Sequence, residues 1–381
     1  PHTFSSMTCP ASCTLFLSLF LALVAFPVHG CVDADGNSVS WWFQYKMPNG
    51  YKTTYVDSST PKHQYLKITG TLDDHENPPA LIKTLQSLVT SGQGDKTMAW
   101  EPYFMYNDQP DNAAPSSSYG HSKGVVSTGT NPFWLLHSTP NFPSSDGKPT
   151  FYFPQQEIIY GQTFLCVALK ASDFNNVGTQ LSYTHPYVYV NKVGDLSKSY
   201  PQLQSVLDGH FVTSPGGTSV QTFGKFTHMA KNSNWDDDMY EKLVAPTLSS
   251  DLVVESWIRG GGEGTFCKPA HKYSVVDVKN LVALDTDGTN ITWTETQDHA
   301  KWALTQDSGH PYVCVSDINR MKSQRTRAGG IFCFENSNLA EQLSGTITTA
   351  HACRSEQSSK DRLRGNATKT MVLNNSSVVQ H

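Results

Sequence analysis

The sequence predicts an α/β layered fold of two pseudo-symmetric halves, each a β-sheet flanked by helices, with a single active site shared between them. Three observations lead there. The chain has 381 residues, 38% hydrophobic, 16% charged and 11% aromatic, a globular composition that excludes disordered, collagen-like and coiled-coil proteins. At that length one hydrophobic core has usually stopped growing, so two lobes or one wide, doubly covered sheet are expected. Strand-like runs outnumber helical ones, and one short constellation of polar residues occurs twice.

In chain order, residues 1–30 lack Asp, Glu, Lys and Arg, and residues 15–26 form an unbroken apolar run ending near Val28-His29-Gly30. This reads as a secretory leader cut before Cys31, too short for a stable membrane anchor, although its start lacks the usual basic residues. Cys9 and Cys13 leave with it, while Cys31, Cys166, Cys267, Cys314, Cys333 and Cys353 remain. Six cysteines in an oxidising compartment predict three disulfides, with fifteen pairings open on spacing alone. No Cys-x-x-Cys or Cys/His pair has zinc-ligand spacing, so no metal is expected. Sequons at Asn290, Asn366, Asn374 and Asn375 fit a secretory glycoprotein. Residues 31–200 are expected to form the first half and 201–353 the second, followed by a polar, disordered tail over 354–381.

Helical spacing occurs at Leu81, Leu85, Leu88 and Val89 after Pro78-Pro79, at Leu203, Val206 and Leu207 after Pro201, and at Met239, Tyr240, Leu243 and Val244. Strands are expected at 41–45, 150–153, 163–169, 187–190 and 312–315, where aromatic and β-branched residues run together.

The repeated constellation is His121-Ser122-Lys123 followed by Ser138-Thr139-Pro140-Asn141, and His299-Ala300-Lys301 followed by Ser316-Asp317-Ile318-Asn319. Both copies read His-x-Lys, a gap of fourteen residues, then Ser-x-x-Asn, and each gap has a turn at its centre: 128–132 in the first, 306–311 in the second. Each copy therefore reads as strand, turn, strand, with the His and Lys of a copy on one face and its Ser and Asn returned beside them. A pseudo-two-fold relation would gather two His, two Lys and two Asn in one pocket. That set suits phosphodiester chemistry: one imidazole attacks phosphorus, the other protonates the departing oxygen, the lysines supply fixed positive charge, and the amides donate to the equatorial oxygens. His121, Lys123, His299 and Lys301 are the candidate catalytic groups, and Asn141, Asn319, Ser138 and Ser316 the candidate phosphate contacts. No cofactor is needed.

The double His-x-Lys pattern resembles the phospholipase D superfamily, and the words around it resemble the deoxyribonuclease II family. Residues 119–125 (Tyr-Gly-His-Ser-Lys-Gly-Val), 137–143, 161–166 and 298–302 carry the likeness, as do 42–48 and 316–320, so it covers residues 31–353. Ser122 and Ala300 depart from the Thr and Ser associated with the family. The Asp that follows His-x-Lys in many phospholipase D relatives is absent, with Thr128 and Gln306 at that offset. The resemblance implies a phospholipase D-like fold and a metal-independent endonuclease, lysosomal or secreted. It implies mainly double-stranded DNA as substrate, 3′-phosphate products, no stable membrane anchor, and disulfides Cys31–Cys166, Cys267–Cys353 and Cys314–Cys333. The alternatives are a phosphodiesterase of the same superfamily acting on lipid or another substrate, and a catalytically inactive nucleic-acid-binding glycoprotein.

Other features are read as structural: His137 beside the first Ser, whose counterpart is Val315; Asp236-Asp237-Asp238 as a solvated helix start; and Gly260-Gly261-Gly262-Glu263-Gly264, without the Lys-Ser/Thr ending of a phosphate loop. The formal charge of −5 disfavours contact with a polyanion at neutral pH. Past the leader, which carries no formal charge, twelve His remain, and protonating all of them would bring the chain to +7 as an upper figure, so attraction to DNA is expected in acid.

Overall fold

The computed structural model describes residues 30–91, 98–148, 150–353 and 371–372. Its frame is two large, mainly antiparallel sheets. The first draws its nine strands from residues 41–191 and has the central order Tyr103–Asn107, Lys123–Ser127, Phe133–His137, Gln162–Ala168, Trp41–Lys46. The second draws ten strands from residues 218–372 and has the central order Leu252–Ser256, Lys301–Thr305, Tyr312–Ser316, Gly329–Glu335, Phe226–Lys231. Both follow one scheme: a lead strand, the His-x-Lys strand, its hairpin partner, a return strand, then an early strand of that half. All these neighbours are antiparallel. The halves therefore repeat a topology as well as a motif.

Trp41–Lys46, Lys123–Ser127 and Phe133–His137 are buried at every position. Both faces of the sheet are covered, which is why Trp41–Phe43 and Phe133–Leu136 read in the sequence as continuous apolar runs rather than alternation. One core lies between the sheets, where Trp41 meets Phe334 at 5.0 Å and Trp134 meets Phe332 at 4.9 Å between ring centres. The helices Phe174–Thr184, Pro201–Leu207 and Ser337–Thr346 feed this same core through Val177, Leu181, Leu203, Val206, Leu339 and Leu343. They therefore pack against the core common to both sheets, and Phe174–Thr184, from the first half, reaches the second sheet with Gln180 donating to the His228 carbonyl at 3.0 Å. The outer face of the first sheet is closed by Leu81, Leu85, Phe151 and Phe153, and that of the second by Met239, Tyr240 and Val244.

The three disulfides join Cys31 to Cys166, Cys267 to Cys353 and Cys314 to Cys333. Asn290 is exposed at a strand start, while Asn366, Asn374 and Asn375, like residues 1–29 and most of the tail, lie outside the described residues. Within the tail, Met371–Val372 pairs with Thr349 and Ala350. Among the described residues no helix is long and apolar enough to cross a membrane.

Local expectations met three exceptions. Residues 150–153 are not a strand: Phe151 takes a positive φ of 45°, so that Phe151 and Phe153 point into the outer core while Tyr152 is left exposed. Val89 opens a short strand, Val89–Ser91, because the helix before it ends at Gln86. The helices Phe174–Thr184 and Ser337–Thr346 were not anticipated from spacing.

Candidate active site

The His-x-Lys strands begin at Lys123 and Lys301, so each histidine lies in the lead-in to its strand, two residues earlier. There each is held by the opposite half. The His121 N–H donates to the Ala328 carbonyl at 2.8 Å, and the His299 N–H donates to the Gly161 carbonyl at 2.8 Å. Ala328 and Gly161 stand immediately before the return strands Gly329–Glu335 and Gln162–Ala168, so this is one reciprocal exchange between equivalent positions. Gly161 is required there, because a Cβ at that position would meet an Asp298 carboxylate oxygen at 2.4 Å.

The exchange brings all four candidate groups together. Burial and then Lys123, with Lys301 also acting, hold the His121 imidazole well below its ordinary range. Burial, Lys301, Lys123 and Lys46 push His299 down to about 2. Burial and the neighbouring Lys123 bring Lys301 down to about 7. Lys123 is ion-paired with Asp108, which also receives Arg327 Nη2 at 2.7 Å. Lys301 has no carboxylate within ion-pair distance among the described residues and donates to the His299 carbonyl at 2.6 Å.

The two imidazoles are held differently. His121 Nδ1 lies 2.6 Å from the Asp317 carbonyl oxygen, which only accepts, so Nδ1 carries the proton and Nε2 offers a lone pair. His299 Nδ1 lies 3.4 Å from the Gln162 amide nitrogen and 4.0 Å from Glu157 Oε2. The Gln162 amide is itself fixed: the Thr163 N–H donates to Ser138 Oγ at 3.0 Å, and Ser138 Oγ donates to Gln162 Oε1 at 2.5 Å. With its NH₂ group thus aimed at Nδ1, neutral His299 carries its proton on Nε2, which is buried and has no partner among the described residues. Tyr160 stacks on the His299 ring at 3.9 Å and 12°. Asp298, just before His299, accepts from Trp293 Nε1 at 2.6 Å, from the Ala300 N–H at 2.9 Å and from the Tyr45 hydroxyl.

The downstream Ser-x-x-Asn segments are not structurally equivalent, despite their equal spacing. Gly124 pairs with Leu136, but its counterpart Trp302 pairs with Val315 rather than Cys314. The second turn, 306–311, is one residue longer than the first, 128–132, and shifts the returning strand by one position. Ser138 thereby corresponds to Asp317, as their N–H bonds to the Thr163 and Gly330 carbonyls (3.1 and 2.9 Å) also indicate. Asn141, at a positive φ of 56°, donates to Glu157 Oε1 at 3.3 Å and so stands beside the His299 group. Asn319 is buried with Oδ1 unpartnered among the described residues, next to Arg320. The Ser316 hydroxyl bonds within its own half, donating to the Gly330 carbonyl at 3.2 Å and accepting the Ile318 N–H at 3.0 Å. His137 is buried beside Phe142 and Phe164, with Nδ1 accepting the Thr139 N–H at 3.3 Å.

Glu157, Asp108 and Tyr160 were not singled out in the sequence, because none lies in the repeat. Gln162 and Asp298 lie within words that carry the family likeness, and their partners are visible only in three dimensions. Among the described residues no group of three or more His, Cys, Asp or Glu is placed to hold a metal ion.

The family model for deoxyribonuclease II matches residues 30–353. Deoxyribonuclease-2 of Caenorhabditis elegans is 32% identical over 389 residues, covering 90% of this chain and 99% of its own. Deoxyribonuclease-2-alpha of Rattus norvegicus is 32% identical, covering 91% of this chain and all of its own, and Plancitoxin-1 of Acanthaster planci is 31% identical with 90% and 99% covered. Among solved structures, a polyphosphate kinase from Porphyromonas gingivalis overlays 60% of this chain and 32% of its own at a TM-score of 0.27 and 13% identity, too slight a likeness to bear on the fold. The near-complete coverage at about one-third identity and the family match across both His-x-Lys copies lead to one conclusion: the chain belongs to the deoxyribonuclease II family.

Proposed function

We propose that the protein is an acid endodeoxyribonuclease with a phospholipase D-like architecture, working without a metal, in a lysosome or outside the cell, mainly on double-stranded DNA. The family membership supports the nuclease reading, and the different tethers of the two histidines carry the mechanism. His121, with its Nε2 lone pair free, is the nucleophile. Its Nε2 attacks phosphorus, the P–O bond to the departing 5′ oxygen breaks, and His299, as imidazolium, gives its Nε2 proton to that oxygen. Water then attacks the phosphohistidine, His299 takes the water proton, and His121 leaves. The products are a 3′-phosphate and a 5′-hydroxyl.

Lys123 and Lys301 hold the negative oxygens, with Asn141 and Asn319 as amide donors to them. Ser138 and Ser316 act by fixing the turns and, for Ser138, the Gln162 amide. A phosphodiester anion against His299 Nε2 counters the lysines that depress this imidazole, so substrate itself raises its proton affinity. Glu157 and the stacked Tyr160 favour the charged ring further.

The test is cleavage of duplex DNA at pH ~5 with EDTA, within the range where an unperturbed His is protonated. His121→Ala and His299→Ala, each verified as folded, should lose roughly 10²–10⁴-fold in kcat. Trapped phosphoenzyme should map to His121, and product ends should be 3′-phosphate. Near-parental cleavage by either variant, label on His299, or loss of parental activity in EDTA would overturn the scheme.

A further inference from the structure

Two loops join the histidines along one rim of the site. Residues 257–263 leave the lead strand Leu252–Ser256 beside His299, and residues 319–328 enter the return strand beside His121. They are tied to each other: Gly262 and Met321 form an antiparallel bridge, the Lys322 N–H donates to the Gly261 carbonyl at 3.1 Å, and the Glu263 N–H to the Arg320 carbonyl at 3.4 Å. At one end the Trp257 ring lies edge-on to His299, with centres 4.8 Å apart and planes at 67°. At the other, the Ala328 carbonyl takes the His121 N–H, and Arg327 binds the Asp108 that holds Lys123.

The charges on this rim fall into two sets. Arg320 is enclosed by Asp238 and Asp277, Arg325 is bound by Glu263, and Arg327 by Asp108. These pairs brace the loops and occupy Asp238, Asp277, Glu263 and Asp108, while Asp237 acts on Arg325. Arg259 and Lys322 are exposed and have no ion-pair partner among the described residues. Trp257 is half-buried, its indole N–H donating to the Thr296 carbonyl at 3.3 Å, which fixes the ring. A fixed aromatic face next to unpaired cations matches an alternating base and phosphate chain, since stacking tolerates any base and each phosphate needs a counter-charge.

We propose that this rim is the rail for the nucleotides flanking the scissile phosphate on one DNA strand, with Trp257 receiving a base or sugar face and Arg259 and Lys322 the adjacent phosphates. This rests on the nuclease reading above. It makes the three residues substrate-positioning groups that distinguish a polynucleotide from a small phosphodiester.

The experiment compares the parental protein with Arg259→Ala/Lys322→Ala and with Trp257→Ala, on a 30-base-pair duplex and on bis(4-nitrophenyl) phosphate, which has no flanking nucleotides. Lys170→Ala/Lys192→Ala, exposed sites near the opposite end of the first sheet, makes the same change in net charge elsewhere. The rail requires the ratio of kcat/KM on duplex to that on the small diester to fall about tenfold in the Arg259/Lys322 variant, through KM. The salt slope of log KM should drop by about one to two units in the same variant. Trp257→Ala should lower the same ratio by roughly tenfold, the loss of one stacked base. An unchanged ratio and slope, or an equal fall in the Lys170/Lys192 control, overturns the rail. A parental enzyme that hydrolyses the small diester but not DNA would instead defeat the nuclease reading.

Discussion

His228 offers a measurement of how the fold responds to acid. It is fully buried between the sheets, with Trp134 at 4.8 Å and Phe332 at 4.5 Å between ring centres, and neither ring nitrogen has a partner among the described residues. Burial lowers this imidazole to about 3 from the usual 6.5, so the folded protein holds it neutral while the unfolded chain protonates it below 6.5. The unfolded state therefore binds the extra proton, and stability rises with pH across that window. At 1.36 kcal/mol per pH unit, the loss at pH 5 is about 2 kcal/mol relative to pH 7.5. His228→Leu removes the titration while keeping a similar volume, and any packing change is common to both pH values. Urea unfolding of parent and variant at the two pH values should therefore give a double difference of about 2 kcal/mol in favour of the variant in acid. A double difference near zero would mean that His228 titrates normally when folded, and the reasoning from its burial would fail.

Other expectations follow from the same site. Ser138→Ala removes the hydroxyl that donates to Gln162 Oε1, so kcat should fall by about tenfold with little change in KM, as loss of one hydrogen bond near 1.4 kcal/mol would give. Lys301, held near 7, carries its ammonium below that pH and loses it above. KM for DNA should therefore rise between pH 6 and 8, and Lys301→Arg should flatten that rise; an unchanged profile would exclude Lys301 as the limiting charge. Replacing Cys31 and Cys166 by Ser opens a loop spanning 135 residues and should lower stability by roughly 3–5 kcal/mol, read by thermal melting. Amino-terminal sequencing of secreted material should begin within a few residues of Cys31.

The candidate site was legible because it is built on two short motifs whose residue types are unusual together: His121 with Lys123 and His299 with Lys301. Their hairpins were legible too, since apolar runs flank turn residues on both sides. The register was not. Equal spacing from His to Ser counts residues along the chain, whereas pairing depends on how many of them the turn consumes, and the turn 306–311 takes one more than 128–132. That single residue sets Ser138 against Asp317 and separates the surroundings of Asn141 and Asn319. Glu157 and Asp108 escaped notice for another reason: a lone acid in a loop or a single 3₁₀ turn has no pattern, and its partners lie far along the chain, Asp108 reaching Arg327 and Glu157 reaching His299.

The structure also changes the meaning of the histidine count. Twelve imidazoles suggested a chain that turns strongly positive in acid, yet burial holds four of them down: His137 and His228 at about 3, His299 at about 2, and His121 well below its ordinary range. Removing those four from the count lowers the upper figure from +7 to +3, so attraction to DNA rests less on global charge than on the local cations at the site. The buried four instead make acid costly: each favours the unfolded state below pH 6.5. Two of them are the pair to which the proposed mechanism assigns the chemistry, and in that mechanism a bound phosphodiester adds to Glu157 the negative charge that offsets Lys123 and Lys301 around His299. Substrate should therefore stabilise the fold more at pH 5 than at pH 7.5, because binding and protonation of His299 are linked. A non-cleavable phosphorothioate duplex added to the His121→Ala variant tests this by its melting shift at the two pH values. An equal shift at both would show that His299 gains no proton on binding, and the general-acid role would have to pass to another group.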